Sequence, residues 1–220
     1  MKKRMIVISL IPLLGLGCFF VVNAMNGDAT ALNDSFTKEF IAEEWVEDDF
    51  HLFESKTGQY RMLFPDRFQM ISKPPEFYGR QGDGFEMWRA KIIEKNEDGI
   101  SYDLGVTLRN ELPNVEEVRL HTMLKNYSYN NKFQEVQLND KTIVHGSSFW
   151  DPDEPRGENK NPEEFRANNF FGLVQDQNSN QSIEVVYSTI CIKEELNCEI
   201  NTEEQYKFAL KIMKSIEFLD

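Results

Sequence analysis

An uncharged run of eighteen residues, Met5–Val22, constrains this chain more than any other feature, because no water-soluble domain leaves such a stretch exposed. Three basic residues precede the run, and the small residue Ala24 ends it. A basic head, an apolar core and a small terminal residue are typical of a secretory signal peptide or a membrane anchor. We therefore expect residues 25–220 alone to form the globular fold, outside the cytoplasm.

Three fates of this N-terminal segment are open. Val22-Asn23-Ala24 suits cleavage before Met25 by a signal peptidase. Leu14-Gly15-Leu16-Gly17-Cys18 is similar to a bacterial lipoprotein box, in which Cys18 takes the lipid and becomes the N-terminus. Retention is the third fate, since a helix of this length spans about 27 Å and just crosses a hydrocarbon core. Positive N-terminal charges stay cytoplasmic, so every fate places the domain outside, and we favour membrane attachment by helix or lipid.

The composition after the leader is that of an acidic globular domain. Seventeen Phe, seven Tyr and three Trp supply the apolar area of a core. The formal charge of −13 becomes −16 without residues 1–24, which hold three cations and no acid. Such a surface repels phosphate backbones, so we expect no nucleic-acid partner.

The chain divides into a leader or anchor (1–24), a spacer (25–50) and a single globular domain (51–220). Within the spacer, Ser35 is a suitable cap for a short helix. The apolar residues of that helix would be Phe36, Phe40, Ile41 and Trp45.

Alternation of apolar and polar residues predicts strands through most of the domain. The predicted strands are Tyr60–Phe64, Phe68–Ile71, Phe85–Ile93, Ile100–Arg109, Phe133–Leu138, Thr142–Trp150, Asn168–Gln175 and Ser182–Ile192. Asp98-Gly99 predicts a hairpin turn, because this pair tolerates positive φ. Strands that follow one another so closely must pair antiparallel.

Helical periodicity interrupts this pattern twice. One helix is predicted near Val115–Asn126, with Asn114 in a capping box, and another near Glu203–Met213, with Thr202 as its cap. Strands, a helix, more strands and a terminal helix predict an α+β domain, with a single antiparallel sheet flanked by helices.

The order of these elements, beginning with the strand Tyr60–Pro65, resembles the PsbP-like fold. That fold occurs in photosystem lumenal proteins, a Ran-binding protein and DcrB-type bacterial lipoproteins. The hairpin of Asn168–Val174 and Ile183–Ser188, with the helix after it, is the most similar part, and the resemblance covers about Glu54–Phe218. It implies an interaction or accessory module, usually without catalysis, and it assigns no functional residue.

Cys191 and Cys198 are the cysteines beyond the leader. In an oxidising compartment, the six residues between them can turn back and let the two sulfurs form a disulfide. Closing so small a loop stabilises a fold by roughly 2.5 kcal/mol on the chain-entropy model. Two free thiols or a metal site are the alternatives, although no histidine lies near enough in sequence to complete a metal site.

No catalytic, cofactor or metal motif stands out. His51, His121 and His145 lie far apart without ligand-spaced neighbours, which favours structural or surface roles. The acidic loop 151–164 has oxygen donors that suit calcium, but prolines occupy two ligand positions of a calcium hand, which favours a solvated loop. We therefore assign no catalytic, cofactor or metal residue.

Aromatic residues near turns are candidates for lining a pocket. They are Phe77, Tyr78, Trp88, Phe149 and Trp150. Core packing explains most of them, and a contiguous exposed subset would mark a partner site.

These features favour a membrane-associated, extracytoplasmic interaction or accessory module with a protein partner. A cell-envelope hydrolase and a solute-binding lipoprotein are the alternatives. The module predicts an exposed apolar or acidic patch and no deep polar cleft. The hydrolase predicts a cleft with convergent carboxylates of shifted pKa, and the solute-binding protein predicts an enclosed cavity of a few hundred Å³.

The lipoprotein fate makes a direct prediction. Lipid label should appear on Cys18, processing should be sensitive to globomycin, and Cys18→Ser should release or stall the protein. Mass spectrometry of the exported protein checks this, and an N-terminus at Met25 would exclude both anchored fates.

Overall fold

The computed structural model describes residues 30–73, 78–92, 99–110, 115–151, 158–192 and 198–219. Its strands are β1 (Ile41–Glu47), β2 (Phe50–Glu54), β3 (Tyr60–Pro65), β4 (Gln69–Met70), β5 (Gly79–Gln81), β6 (Phe85–Lys91), β7 (Ile100–Asn110), β8 (Gln134–Gln137), β9 (Lys141–Trp150), β10 (Asn159–Lys160), β11 (Asn169–Asp176), β12 (Gln181–Cys191) and β13 (Glu217–Phe218). Its helices are α1 (Glu116–Tyr127), α2 (Pro162–Phe165) and α3 (Thr202–Ser215), with short 3-10 helices at Ala31–Asn33 and Thr37–Glu39.

The strands form two antiparallel sheets, so the prediction of a single sheet is wrong. The smaller sheet has the order β1-β2-β3-β13. The larger has the order β10-β9-β11-β12-β7-β6-β4, with β5 beside β6 and β8 beside β9. Alternation in a sequence shows that one face of a strand is buried, but it does not show which sheet covers that face.

The main core lies between the smaller sheet, α3 and one face of the larger sheet. The rings of Phe53 and Phe64 lie 4.9 Å and 5.8 Å from the ring of Trp88, measured between centroids. The indole Nε1 of Trp88 donates to the Tyr60 hydroxyl at 2.9 Å. These contacts join the two sheets, because Trp88 belongs to the larger sheet and its partners to the smaller one.

A buried carboxylate also fastens the two sheets. Glu86 is fully buried. Its oxygens accept hydrogen bonds from Ser55 Oγ at 2.7 Å, the Lys56 backbone N–H at 3.0 Å and the Tyr78 hydroxyl at 2.9 Å. Three donors compensate the desolvation of this carboxylate, and they tie the turn after β2 to strand β6.

The other face of the larger sheet is covered only in part. Met123 and Leu124 of α1 pack against Val144, Phe171 and Leu173 on β9 and β11. Among the described residues, no helix or sheet packs apolar side chains on the same face over β12, β7 and β6.

The helix predicted from Ser35 is wrong, because this segment forms a 3-10 helix and then strand β1. Asp34 Oδ1 accepts from both the backbone N–H and the hydroxyl of Thr37 at 2.7 Å, which closes a tight turn. After this turn, the ring of Phe40 stacks on the ring of Phe53, with the centroids 6.0 Å apart, and β1 pairs with β2. Strand pairing and ring packing therefore override the helical spacing of the apolar residues.

The two longer helices confirm the prediction from periodicity. The cap of α3 is Asn201 and not the predicted Thr202, since Asn201 Oδ1 accepts from the backbone N–H of Glu204 at 3.3 Å. Thr202 instead donates its hydroxyl to the carbonyl of Ala167. The predicted cap of α1, Asn114, and Asp98 of the predicted hairpin turn lie outside the described residues.

The predicted disulfide is present between Cys191 and Cys198, with the Cα atoms 5.9 Å apart. Cys191 ends β12, opposite Ile100 on β7. The bond therefore ties the approach to α3 to the end of the central strands, beside the core and not within it.

Replacing both cysteines with Ser should lower the free energy of unfolding by roughly 2–3 kcal/mol and leave the fold intact. The reason is that the open chain regains loop entropy in the unfolded state. Urea denaturation of the variant checks the size of the loss, and reduced wild-type protein should reproduce it. Two alkylatable thiols in unreduced, folded protein would contradict the bridge.

Candidate functional site

The uncovered part of the larger sheet forms a half-open cleft of about 590 Å³. We call it the sheet-face cleft. Its floor is made by β6, β7 and β12, one wall by Asn126 and Tyr127 at the end of α1, and part of its rim by Trp150 at the end of β9. The cleft exists because the apolar packing of α1 covers only β9 and β11.

Alternation along the central strands makes the floor polar. On β7, Leu104, Val106 and Leu108 are buried in the main core. The residues between them therefore point to the cleft, since successive side chains of a strand face opposite ways. In register across the sheet, Lys91 lies opposite Asp103, and Asp103 lies opposite Ser188.

A glycine opens the middle of the floor. Gly105 lies between Arg89 on β6 and Val186 on β12. A Cβ atom at Gly105 would lie 3.8 Å from Arg89 Cγ and from the Val186 carbonyl oxygen, which is ordinary van der Waals contact. A methyl group therefore fits at this position without distorting the strands, and a larger side chain would extend into the cleft.

Asp103 organises one end of the cleft. Its Oδ1 accepts from Arg89 Nε at 3.0 Å and from Arg89 Nη2 at 2.7 Å, and its Oδ2 lies 3.4 Å from Lys91 Nζ. The two Arg89 bonds to one oxygen fix the guanidinium beside the carboxylate. Asp103 is buried, so these charges also offset its desolvation.

Glu184 and Tyr127 lie together at the opposite end of the cleft from Asp103. Burial raises the pKa of the Glu184 carboxyl, and the nearby Arg109, Arg119 and Tyr127 oppose that rise. Burial and then the charge of Glu184 raise the pKa of Tyr127 to about 12. Glu184 is thus an acid held partly out of water, near two guanidinium groups.

The histidines lie away from the cleft, in structural positions. His51 is buried, with Nε2 2.7 Å from Asp66 Oδ1. His145 is buried against α3, with Nδ1 2.7 Å from the Tyr206 hydroxyl. Burial, followed by the charge of Lys214, lowers the pKa of His145. His121 is exposed on α1.

The acidic loop 151–164 is described only at its ends. Asp151 Oδ2 accepts from Lys160 Nζ at 2.7 Å, and the Asn161 side chain caps α2. Within the described residues, no group of three or more His, Cys, Asp or Glu side chains is placed to hold a metal ion. Asp153 and the prolines at 152 and 155 lie outside those residues.

Sequence reasoning found Trp150 as a candidate for lining a pocket but missed Arg89, Asp103 and Glu184. Of the other aromatic candidates, Trp88 is buried in the core, and the Tyr78 hydroxyl donates a hydrogen bond to Glu86. A signal for the missed residues was present: Arg89, Asp103 and Glu184 each lie next to a buried apolar residue on their strand, so alternation places them on the opposite face. Their convergence depends on strand register, which alternation alone does not reveal.

Comparison with known proteins identifies the family. The protein-family model YvcA_Mog1p, described as "Putative lipoprotein YvcA", matches residues 27–217. The match covers most of the chain, so the protein belongs to this lipoprotein family. Membership confirms the predicted location, outside the cytoplasm and associated with the membrane. No curated protein and no solved structure matches the chain.

Among the described residues, no helix is both long enough and apolar enough to span a membrane. Met5–Val22 and Cys18 lie outside the described residues.

Glu184→Gln should stabilise the protein at neutral pH. The folded-state pKa of Glu184 is raised, so the stability contributed by its protonated form is present below the unfolded pKa and is lost as pH rises through the folded pKa. The uncharged amide avoids this loss of stability. The stability advantage of Glu184→Gln over the wild type should therefore vanish below about pH 4, where the glutamate is protonated in both the folded and the unfolded state. Urea denaturation across this pH range measures the effect, with the exposed Glu135→Gln as the matched control.

An advantage of Glu184→Gln that persisted unchanged in acid, or that Glu135→Gln reproduced, would contradict this account of the Glu184 carboxyl.

Proposed function

We propose that this protein is a membrane-tethered, non-catalytic binding module that holds its ligand in the sheet-face cleft, outside the cytoplasm. The observation that carries the proposal is the uncovered face of the larger sheet, where charged, hydroxyl and aromatic side chains converge around about 590 Å³. Volumes of this size are typical of ligand sites. One face of an antiparallel sheet commonly stays open to solvent, and here that polar face forms a cleft that a ligand can enter.

Membership of a lipoprotein family supports a lipid tether at Cys18 over cleavage or a retained helix. Cys18 would carry the lipid, and the residues after it would link the membrane to the domain, whose first described buried residue is Ala31. Within the described domain, we propose a PsbP-like arrangement, supported by the antiparallel larger sheet and the two helices packed on its opposite faces.

The geometry of the carboxylates favours binding over hydrolysis. Asp103 and Glu184 differ by four rows of the sheet, because Glu184 lies opposite Thr107, four residues along β7 from Asp103. At about 3.3 Å per residue, their backbones are roughly 13 Å apart along the strands, so the two carboxylates belong to different rows of the cleft. Asp103 also forms ion pairs with Arg89 and Lys91.

The half-open shape distinguishes this cleft from the enclosed cavity expected of a solute-binding protein. Trp150 and Met87 stand at its margins, and Met87 is 38% exposed. A ligand seated here would keep one side in solvent, which permits a bound segment of a larger molecule.

Site-specific photo-crosslinking tests the proposal in the intact, membrane-attached protein. A benzoylphenylalanine at position 87 should form an adduct in cells, and Gly105→Leu should suppress it by filling the floor of the cleft. Two controls frame the result: Gly105→Ala, which should preserve the adduct, and a probe at position 118 on the outer face of α1, where Val118 is 61% exposed.

The proposal fails if no adduct forms at position 87, or if the probe at position 118 yields the same adduct. It also fails if Gly105→Leu, shown to be folded by circular dichroism, leaves the adduct unchanged.

A further inference from the structure

A second pocket lies at the turn between β11 and β12, outside the sheet-face cleft. We call it the amide pocket. It has a volume of about 560 Å³, and it is lined by Gln137, Thr142 and Gln175 and by the turn residues 176–180. Ligand sites commonly have volumes of about 300–1,000 Å³. None of the described residues that line it also lines the sheet-face cleft, so the two pockets are separate.

Strand register places three polar side chains side by side on the floor of the amide pocket. Thr142 on β9 lies opposite Gln137 on β8 and opposite Gln175 on β11. Directly opposite side chains share one face of a sheet, with their Cβ atoms about 5 Å apart. On the same face, two residues nearer the middle of the strands, Val144 and Leu173 pack against α1. The amide pocket therefore begins where the apolar packing of α1 ends.

Most of the polar side chains in the pocket are not used by the fold. Gln137, Asn178 and Asn180 are exposed, and Gln175 is half-buried. Among the described residues, none forms a hydrogen bond with the side-chain amide of any of these four. Each amide group therefore keeps its two N–H donors and its carbonyl acceptor available for a ligand.

Asp176 is different, because its carboxylate closes the turn. Its Oδ1 accepts from the backbone N–H of Asn178 at 3.1 Å, and its Oδ2 accepts from the hydroxyl of Ser179 at 2.5 Å. Of the described residues that line the pocket, Asp176 alone is charged, whereas 28% of the chain is charged. The lining therefore offers no cation that would hold an anionic ligand.

The chemistry of the lining narrows the class of ligand. An anion would be repelled by Asp176 and would find no counter-charge in the lining. A peptide would bring apolar side chains, for which the lining has no apolar partner beyond the methyl group of Thr142. An uncharged saccharide meets neither obstacle, because its hydroxyl groups both donate and accept hydrogen bonds, as amide and hydroxyl side chains do.

The described chain begins towards the other end of the strands. The Thr30 carbonyl accepts from the side-chain amide of Gln69 at 2.9 Å, and Gln69 lies in the same row of the larger sheet as Ser188. Gln175 lies opposite Ser182, six residues along β12 from Ser188, which is about 20 Å at 3.3 Å per residue. The N-terminal tether proposed above would therefore enter the domain well away from the amide pocket, which suits a ligand outside the membrane better than a lipid headgroup.

We propose that the amide pocket binds an uncharged saccharide chain. The hydroxyl groups of the saccharide bond to the row of Gln137, Thr142 and Gln175 on the floor and to Asn178 and Asn180 at the turn. The open shape of the pocket permits an internal unit of a longer chain to bind while its neighbours stay in solvent. This pocket is separate from the sheet-face cleft, so either proposal can fail without the other.

An NMR titration of isotope-labelled, full-length protein in detergent tests the proposal, with the side-chain amide signals as the readout. The probe is cellotetraose. Its matches are tetragalacturonate, which is a charged chain of the same length, and an N-acetylated tetraglycine amide, which is an uncharged peptide. Cellotetraose should shift the signals of Gln137 and Gln175 with a millimolar Kd, and both matches should bind at least about tenfold more weakly.

Three results of this titration would overturn the proposal. The first is the absence of any shift that corresponds to a Kd below about 10 mM. The second is binding of either match as tightly as cellotetraose. The third is a shift of the Asn126 amide in the sheet-face cleft without a shift at Gln175, which would place the saccharide in the cleft.

Variants of the floor separate specific binding from general effects of surface amides. Gln175→Ala and Thr142→Val should each raise the Kd of cellotetraose about three- to tenfold, because each removes a hydrogen-bonding group. Gln134→Ala is the matched control, since Gln134 is exposed on β8 but lies three residues from Gln137 and so on the opposite face. The proposal is wrong if Gln134→Ala weakens binding as much as Gln175→Ala does. It is also wrong if both floor variants, shown to be folded by circular dichroism, bind cellotetraose as the wild type does.

Discussion

The structure depends on the pairing of β7 with β12, which runs without interruption from Asn110 opposite Gln181 to Ile100 opposite Cys191. In this register, Leu104 and Val185 face the main core, while Asp103 and Glu184 face the cleft. A slip of one residue would bury the charged set and expose the apolar set. The core and the sheet-face cleft are therefore two consequences of one register.

The two faces of the larger sheet differ in what covers them. Aromatic residues of the smaller sheet and apolar residues of α3 fill one face, and Glu86 fastens the contact with three hydrogen bonds. On the other face, the apolar side chains of α1 pack only on β9 and β11. Charged pairs such as Arg89 with Asp103 replace apolar packing where no helix lies above the strands. The site and the stability of the domain thus rest on different faces.

Much of this fold can be predicted from the sequence because strand alternation, helix periodicity and the cysteine spacing are local signals. The eight predicted strands, both longer helices and the Cys191–Cys198 bridge follow from them, whereas β2, β5 and β10 do not. The division into two sheets and the strand at Ile41–Glu47 do not, since both depend on which surfaces meet. The cleft escaped prediction for the same reason: Arg89 and Asp103 are fourteen residues apart, and only register brings them together.

The central claim is that a ligand occupies the sheet-face cleft when the protein is attached to the membrane in cells. Hydroxyl-radical footprinting of cell membranes and of purified, ligand-free protein tests it most directly, with oxidation at each side chain read by mass spectrometry. Met87, 38% exposed in the cleft, should be protected on membranes, whereas Phe133, 44% exposed outside it, should be oxidised equally in both samples. Equal oxidation of Met87 in the two samples would contradict the account.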